Sequence, residues 1–300
     1  MPIVDVAGIA VGVRASDDAR CAAVLDALVG FPVTDDAPAV SITIDDERAA
    51  VPTGPTQAEE RGFRLWVVDD GVVVGAERAS VRVMGDHAAL HVEAVDERDI
   101  VEGLVAIALA WLLAPHARYL VHGAGIARDG IGYLVLGESL AGKSTLAAGA
   151  LEAGWAVLSD DLVILAPTID RIGLFGVHRN PAVPMELGGP VVAQGTPLRG
   201  PRERALLDRA VLTAGGVDLG GTIVVAHAED AAGTLGPVSA RRLVPLLLKS
   251  FAPTADAAFR GQFFSFTERV VALPAWELGH AAEVAHRRAH VANALKQCAP

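Results

Sequence analysis

Residues 131–165 read IGYLVLGESLAGKSTLAAGALEAGWAVLSDDLVIL, and the succession of patterns inside this stretch decides the fold. Ile131 to Leu136 is an unbroken apolar run of strand length. Gly137-Glu138-Ser139-Leu140-Ala141-Gly142-Lys143-Ser144 fits G-x-x-x-x-G-K-[ST], the spacing of a phosphate-binding loop. Thr145 to Ala153, rich in Ala and Leu, predicts a helix that Gly154 closes, and Trp155 to Ser159 predicts a second buried strand. Strand, glycine-bounded loop, helix and strand in that order predict an α/β fold, α+β over the whole chain, with the loop after a strand and before a helix as its mechanism requires.

Each residue type in the loop has a physical reason. Gly137 and Gly142 let the backbone turn its N–H groups onto an anion, and the helix beginning near Lys143 aims its positive end at the same place. Lys143 adds a mobile point charge, and Ser144 offers a hydroxyl for magnesium. Glu138, Ser139, Leu140, Ala141 and Thr145 complete the expected nucleotide-contacting segment, with Leu140 where many such loops carry a third glycine. Only Lys143, Lys249 and Lys296 are lysine among the 25 basic residues, so a lysine at the motif position stands out.

After the second strand comes Asp160-Asp161, 17 residues beyond the loop lysine. Neighbours in a regular strand point to opposite faces, so the pair implies a division of labour: one carboxylate for magnesium or its water shell, the other for the acceptor proton as general base. A solvated turn before a second hairpin strand is the plainer alternative.

Working outward, Arg118 to Ala127 alternates apolar and small residues and predicts, with the Arg128-Asp129-Gly130 turn, a hairpin partner for Ile131 to Leu136. Arg179, at the end of the strand expected after Asp161, is either a cation that returns to the phosphates or a solvated strand-end arginine. Gly188 to Arg209 reads as a long exposed loop carrying Arg199, Arg202 and Arg204. Glu277 to Gln297 predicts a final helix whose His280, His286 and His290 lack a carboxylate or cysteine partner for a metal.

Residues 1–98 predict a strand-rich domain with one helix, Asp17 to Val29, and strands at Val40 to Ile44, Phe63 to Val68, Gly71 to Gly75, Ser80 to Met84 and Ala88 to Val92. Residues 99–300 predict the phosphate-loop domain. The apolar run Ile100 to Ala114 contains Glu102 and falls short of the roughly 18 to 20 residues of a bilayer span, so it is expected as a buried helix.

Three hundred residues, 52% of them hydrophobic and 20% charged, exclude a disordered polymer. The formal charge of −11 lies entirely in the first third, where residues 1–100 hold 19 Asp and Glu against 8 Lys and Arg while the remainder holds 17 of each. With no contiguous basic patch, nucleic acid is not an expected partner, and no membrane partner is expected either. Two cysteines, Cys21 and Cys298, form no metal-binding spacing. The expected compartment is the cytoplasm.

His122-Gly123, the phosphate loop and GWAVLSDDLVIL at residues 154–165 together resemble the catalytic domain of HPr kinase/phosphorylase and its bacterial kinase relatives, including those that phosphorylate lasso-peptide precursors. A more distant similarity runs to phosphoenolpyruvate carboxykinase. The resemblance implies an ATP- and Mg2+-dependent kinase in which Lys143 binds phosphate, Ser144 and Asp160 serve magnesium, Asp161 is the acid/base residue and His122 lies beside it. Thr145 stands where the HPr-phosphorylating enzymes carry Glu, and their glycine-rich phosphorolysis signature is missing. Both departures favour the kinase relatives, with the acceptor a peptide, a protein or a small-molecule alcohol. The relatives also lead one to expect a homo-oligomer. A nucleotide-binding switch or scaffold without an acceptor is the alternative.

Overall fold

The computed structural model describes residues 1–45, 52, 55–56, 58–60, 63–69, 71–76, 78–94, 98–138, 141–177, 182–184, 196–198, 204–206, 215–227, 234–251, 257–280, 291 and 294–295. The chain is mixed α/β and divides into two compact units, Met1–Tyr119 with Pro253–Phe259, and Leu120–Ala252 with Arg260–Pro300.

The first unit carries β1 (Ile3–Val6), β2 (Ile9–Ala15), α1 (Asp18–Ala27), β3 (Val40–Asp45), β4 (Ala58–Glu60), β5 (Phe63–Val68), β6 (Gly71–Ala76), β7 (Ala79–Met84), β8 (His87–Val92) and α2 (Arg98–Leu113). Its eight strands form one sheet in the order β1-β2-β3-β8-β7-β6-β5-β4. The link from β2 through α1 to the parallel β3 is a βαβ unit, and β5 to β8 are an antiparallel meander. Asp17 caps α1 by accepting from the Arg20 amide at 2.9 Å. Alternate residues Ile42, Ile44, Val81, Val83, Ala88 and Leu90 are buried, and α1 and α2 pack on this sheet.

The 18-residue window Asp99–His116 is apolar and long enough to cross a membrane by composition. Here it is a core helix, with Val101, Leu104, Val105, Ala108, Leu109, Leu112 and Leu113 buried. By that packing α2 goes with the first sheet, and the division between units falls at Tyr119/Leu120, one helix beyond the expected 98/99.

The second unit follows with β9 (Tyr119–His122), β10 (Ala124–Arg128), β11 (Ile131–Leu136), α3 (Lys143–Glu152), β12 (Ala156–Ser159), β13 (Leu162–Pro167), β14 (Ile172–Val177), β15 (Ala182–Pro184), β16 (Thr196–Leu198), β17 (Arg204–Leu206), β18 (Gly216–His227), β19 (Leu235–Pro237), α4 (Ala240–Ser250), α5 (Ala257–Val271) and β20 (Ala275–His280). The main sheet runs β12-β10-β11-β18-β14-β13-β9, with β20 on β18 and β19 on β20. The 12-residue β18 pairs in parallel with β11, while its start takes β14 and its end takes β20 on the other side.

Three expectations are revised. Arg118 to Ala127 is not one strand: Gly123 donates its amide to the Asp161 carbonyl at 2.8 Å, which breaks the ladder and sends β9 and β10 to different places in the sheet. The expected loop Gly188 to Arg209 contains β16 and β17, which with β15 make a small sheet; Arg204 lies in β17, and Arg199 and Arg202 fall outside the described residues. The expected final helix cannot begin at Glu277, because Ala275–His280 pairs in parallel with β18. His280 therefore ends a strand, and His286 and His290 fall outside the described residues.

The core of the second unit lies between α3 and the sheet. Ile126, Tyr133, Val135, Leu146, Trp155, Val157, Ile223, Val225 and Leu278 are all buried there. Tyr133 sits between two indoles, 5.6 Å from Trp155 and 6.0 Å from Trp276 between ring centroids. The alternate residues Leu134 and Leu136 are also buried, so β11 is covered on both faces, which is why Ile131 to Leu136 is apolar without alternation.

Candidate active site

Topology brings the sequence candidates to one edge of the sheet. β10 is antiparallel to both β11 and β12, so β11 and β12 run the same way, and their C-terminal ends lie beside the start of β10. Leu136 opens into the phosphate loop at that edge, Ser159 opens into Asp160-Asp161, and His122-Gly123 immediately precedes β10. Val224 pairs with Leu136, so the end of β18 arrives there too.

Gly137 and Gly142 are required by geometry. A Cβ on Gly137 would sit 2.7 Å from the Val225 carbonyl oxygen. Gly142, at φ 107°, is in the left-handed region where a side chain is strained, and it forms the N-cap of α3 without a side chain to cap the first-turn amides. The first helical bond runs from the Leu146 amide to the Gly142 carbonyl at 2.9 Å, so the N–H groups of Lys143, Ser144 and Thr145 precede the intrahelical ladder. Those donors and the helix dipole suit an anion. Ser139 and Leu140 lie outside the described residues.

Lys143 is buried, with 8% of its surface exposed, and its ammonium is folded back to donate to the carbonyl oxygens of Gly137 at 3.0 Å and Glu138 at 3.2 Å. Burial pushes its pKa below the usual lysine range, opposed by the negative charges of Asp161 and Glu138. The Ala141 amide also donates to the Glu138 carbonyl, at 3.1 Å. Ser144 is half-buried and Thr145 buried on the first turn of α3.

The two aspartates occupy a bend between β12 and β13 rather than a strand, and their environments differ. Asp160 is buried, with 7% exposed, whereas Asp161 keeps more of its surface open. Ser159 fixes the bend: its hydroxyl donates to the Val177 carbonyl at 2.9 Å and accepts from the amides of Asp161 and Leu162 at 3.4 and 3.3 Å. The Asp161 carboxylate lies 3.1 Å from Nδ1 of His122, with both side chains partly exposed. The pairing of imidazole with carboxylate and the electrostatic reach of Asp161 to Lys143 join the phosphate side of the site to the aspartate bend. Arg179 lies outside the described residues; β14 ends at Val177, two positions earlier.

One participant at this edge was not singled out from sequence. Lys249, on the last turn of α4, places Nζ 2.6 Å from Oε2 of Glu138 and holds that carboxyl below the usual carboxylate range. The available signal was the scarcity of lysine. The 111 residues between the partners hid the contact. Among the described residues no cluster of three or more His, Cys, Asp and Glu forms a metal cage.

No protein-family model matches the chain, and no curated protein matches it. Fifty-one solved chains do. One is the Hpr(Ser) kinase/phosphatase from Coxiella burnetii, at 10% identity and a TM-score of 0.30, over 59% of this chain and 94% of that one. The similarity is distant and purely structural.

Proposed function

We propose that this protein is a phosphotransferase that moves the γ-phosphate of ATP, with Mg2+, to a hydroxyl of a peptide, protein or small molecule. The observation that carries the reading is the His122–Asp161 pair, at 3.1 Å, on the same sheet edge as the buried ammonium of Lys143. An anion-binding loop alone supports binding; a partly exposed carboxylate oriented by an imidazole beside it adds a proton acceptor where an acceptor hydroxyl would approach.

In this reading the amides at the start of α3 and Lys143 hold the β- and γ-phosphates. Magnesium, when bound, neutralises phosphate charge, and Ser144 and Asp160 are the residues that would hold it; such an ion takes one or two protein oxygens and draws the rest from phosphate and water. Asp161 accepts the acceptor proton while the acceptor oxygen bonds to the γ-phosphorus and the bond to the β,γ-bridging oxygen breaks, releasing ADP. His122 orients Asp161 and shares its charge. Arg179 remains in the proposal as a candidate for transition-state charge.

The test is transfer of label from γ-labelled ATP with magnesium to HPr, a panel of serine-containing peptides and small alcohols, with Lys143→Ala as control. Label that appears in one acceptor and depends on Lys143 supports the reading. Calorimetric ATP binding without label in any acceptor favours a nucleotide-binding switch.

A further inference from the structure

Only three lysines occur in 300 residues, and two of them, Lys143 and Lys249, place their ammonium groups on Gly137 and Glu138 at the start of the phosphate loop. Glu138 puts a carboxylate on a loop built for anions, and that charge opposes a polyphosphate. Lys249 beside it cancels that negative charge. Lys249 therefore offsets the carboxylate that would otherwise oppose a phosphate chain.

The way Lys249 is held suits more than a counterion. Leu243 and Leu247 are buried and fix α4, which packs against β11. One residue past the helix, Phe251 forms a backbone bridge to Val121, and its ring meets Phe263 edge-on at 4.4 Å and Phe266 at 6.1 Å. The backbone just past the end of α4 is thus anchored at Val121, the residue before His122. The lysine itself is different: the two side chains of the Glu138–Lys249 pair are 62% and 67% exposed. An ion pair so open to water contributes little, so the long side chain can leave Glu138 at small cost while its backbone stays in place.

We propose that Lys249 is a second phosphate-handling cation of this site, resting on Glu138 and passing to the terminal phosphate when a nucleoside triphosphate occupies the loop. The inference rests on the reading of the loop as a nucleotide site and adds to it a discriminator between triphosphate and diphosphate. Lys143, held on the Gly137 and Glu138 carbonyls, serves the β-phosphate that both nucleotides carry as well as the γ-phosphate. Lys249, whose helix end is anchored at Val121 beside His122, is assigned to the γ-phosphate alone.

Calorimetry with ATP and ADP in the presence of magnesium tests this on the whole chain. Lys249→Ala is expected to weaken ATP about tenfold, the scale of a charge-assisted hydrogen bond, and ADP by less than about twofold. Lys249→Arg recovers most of the loss, and the melting temperature moves little because the pair is exposed. The same tenfold loss persists when Lys249→Ala is made in a Glu138→Gln background. Equal losses for ATP and ADP, no loss, or a loss that vanishes with Glu138→Gln would each overturn the proposal and reduce Lys249 to a counterion. ATP binding that is absent from the wild type or untouched by Lys143→Ala overturns the nucleotide reading as well; loss with Lys143→Ala alone sinks only the role of Lys249.

Discussion

Lys143 places function and stability in opposition. Its pKa is lowered chiefly by burial, so while charged it destabilises the fold; stability rises as pH climbs from its folded pKa towards the ordinary lysine value. Lys143→Met removes the buried charge at neutral pH, and the melting temperature is expected to rise, by roughly 2–4 °C for each kcal/mol regained. The gain narrows as the pH passes the folded pKa. ATP affinity should fall by about a hundredfold or more, the scale of losing a buried cation on phosphate. A lower melting temperature would mean that the bonds to the Gly137 and Glu138 carbonyls outweigh burial. Asp161→Asn keeps the bend, whose Ser159 bonds use backbone amides, and is expected to leave ATP affinity within about threefold while lowering transfer by about 10²–10⁴. Transfer at the wild-type rate would remove Asp161 from the base role. These residues were legible because motif and aspartate pair are local patterns. Lys249 was not, since nothing between residues 138 and 249 signals that α4 returns to the loop.

At the scale of elements, the sheet edge works because β11, β12 and β18 end together and β10 begins there. Gly137→Ala tests that crowding: its Cβ would meet the Val225 carbonyl at 2.7 Å, so the loop or β18 must shift. The expected result is a loss of ATP affinity of at least about tenfold, since charge-assisted bonds depend on alignment. Gly236→Ala, with open space around its Cβ, is the silent comparison. An unchanged affinity for Gly137→Ala would show that the loop does not need its close approach to β18. Strands β3, β5 to β8 and β11 and helix α3 were readable from period and punctuation, because each buries its own apolar residues. The split at Gly123 and the strand Ala275–His280 were not. Each depends on a partner far along the chain, the Asp161 carbonyl in one case and β18 in the other.

At the scale of the whole molecule, two compact units imply two transitions on heating. Leu109, fully buried in α2, belongs to the first; Leu109→Ala should cost about 2–5 kcal/mol there and leave ATP affinity within about twofold. Magnesium-ATP should raise the other transition by mass action, and Lys143→Ala should abolish that shift in a scanning calorimeter. A single transition that shifts as a whole would show that they melt as one cooperative body. The acidic first hundred residues were plain in the sequence, but the place of α2 was not, since an apolar helix between two sheets can serve either. In the core with α3, the Tyr133 ring lies 5.6 Å from Trp155 and 6.0 Å from Trp276 between centroids, and the Arg128 guanidinium stands 5.8 Å over Trp155. The second unit therefore has a built-in optical probe: tyrosine emission is passed to neighbouring indoles, so the unlabelled protein can report loosening of the packing between α3 and the sheet by its own fluorescence.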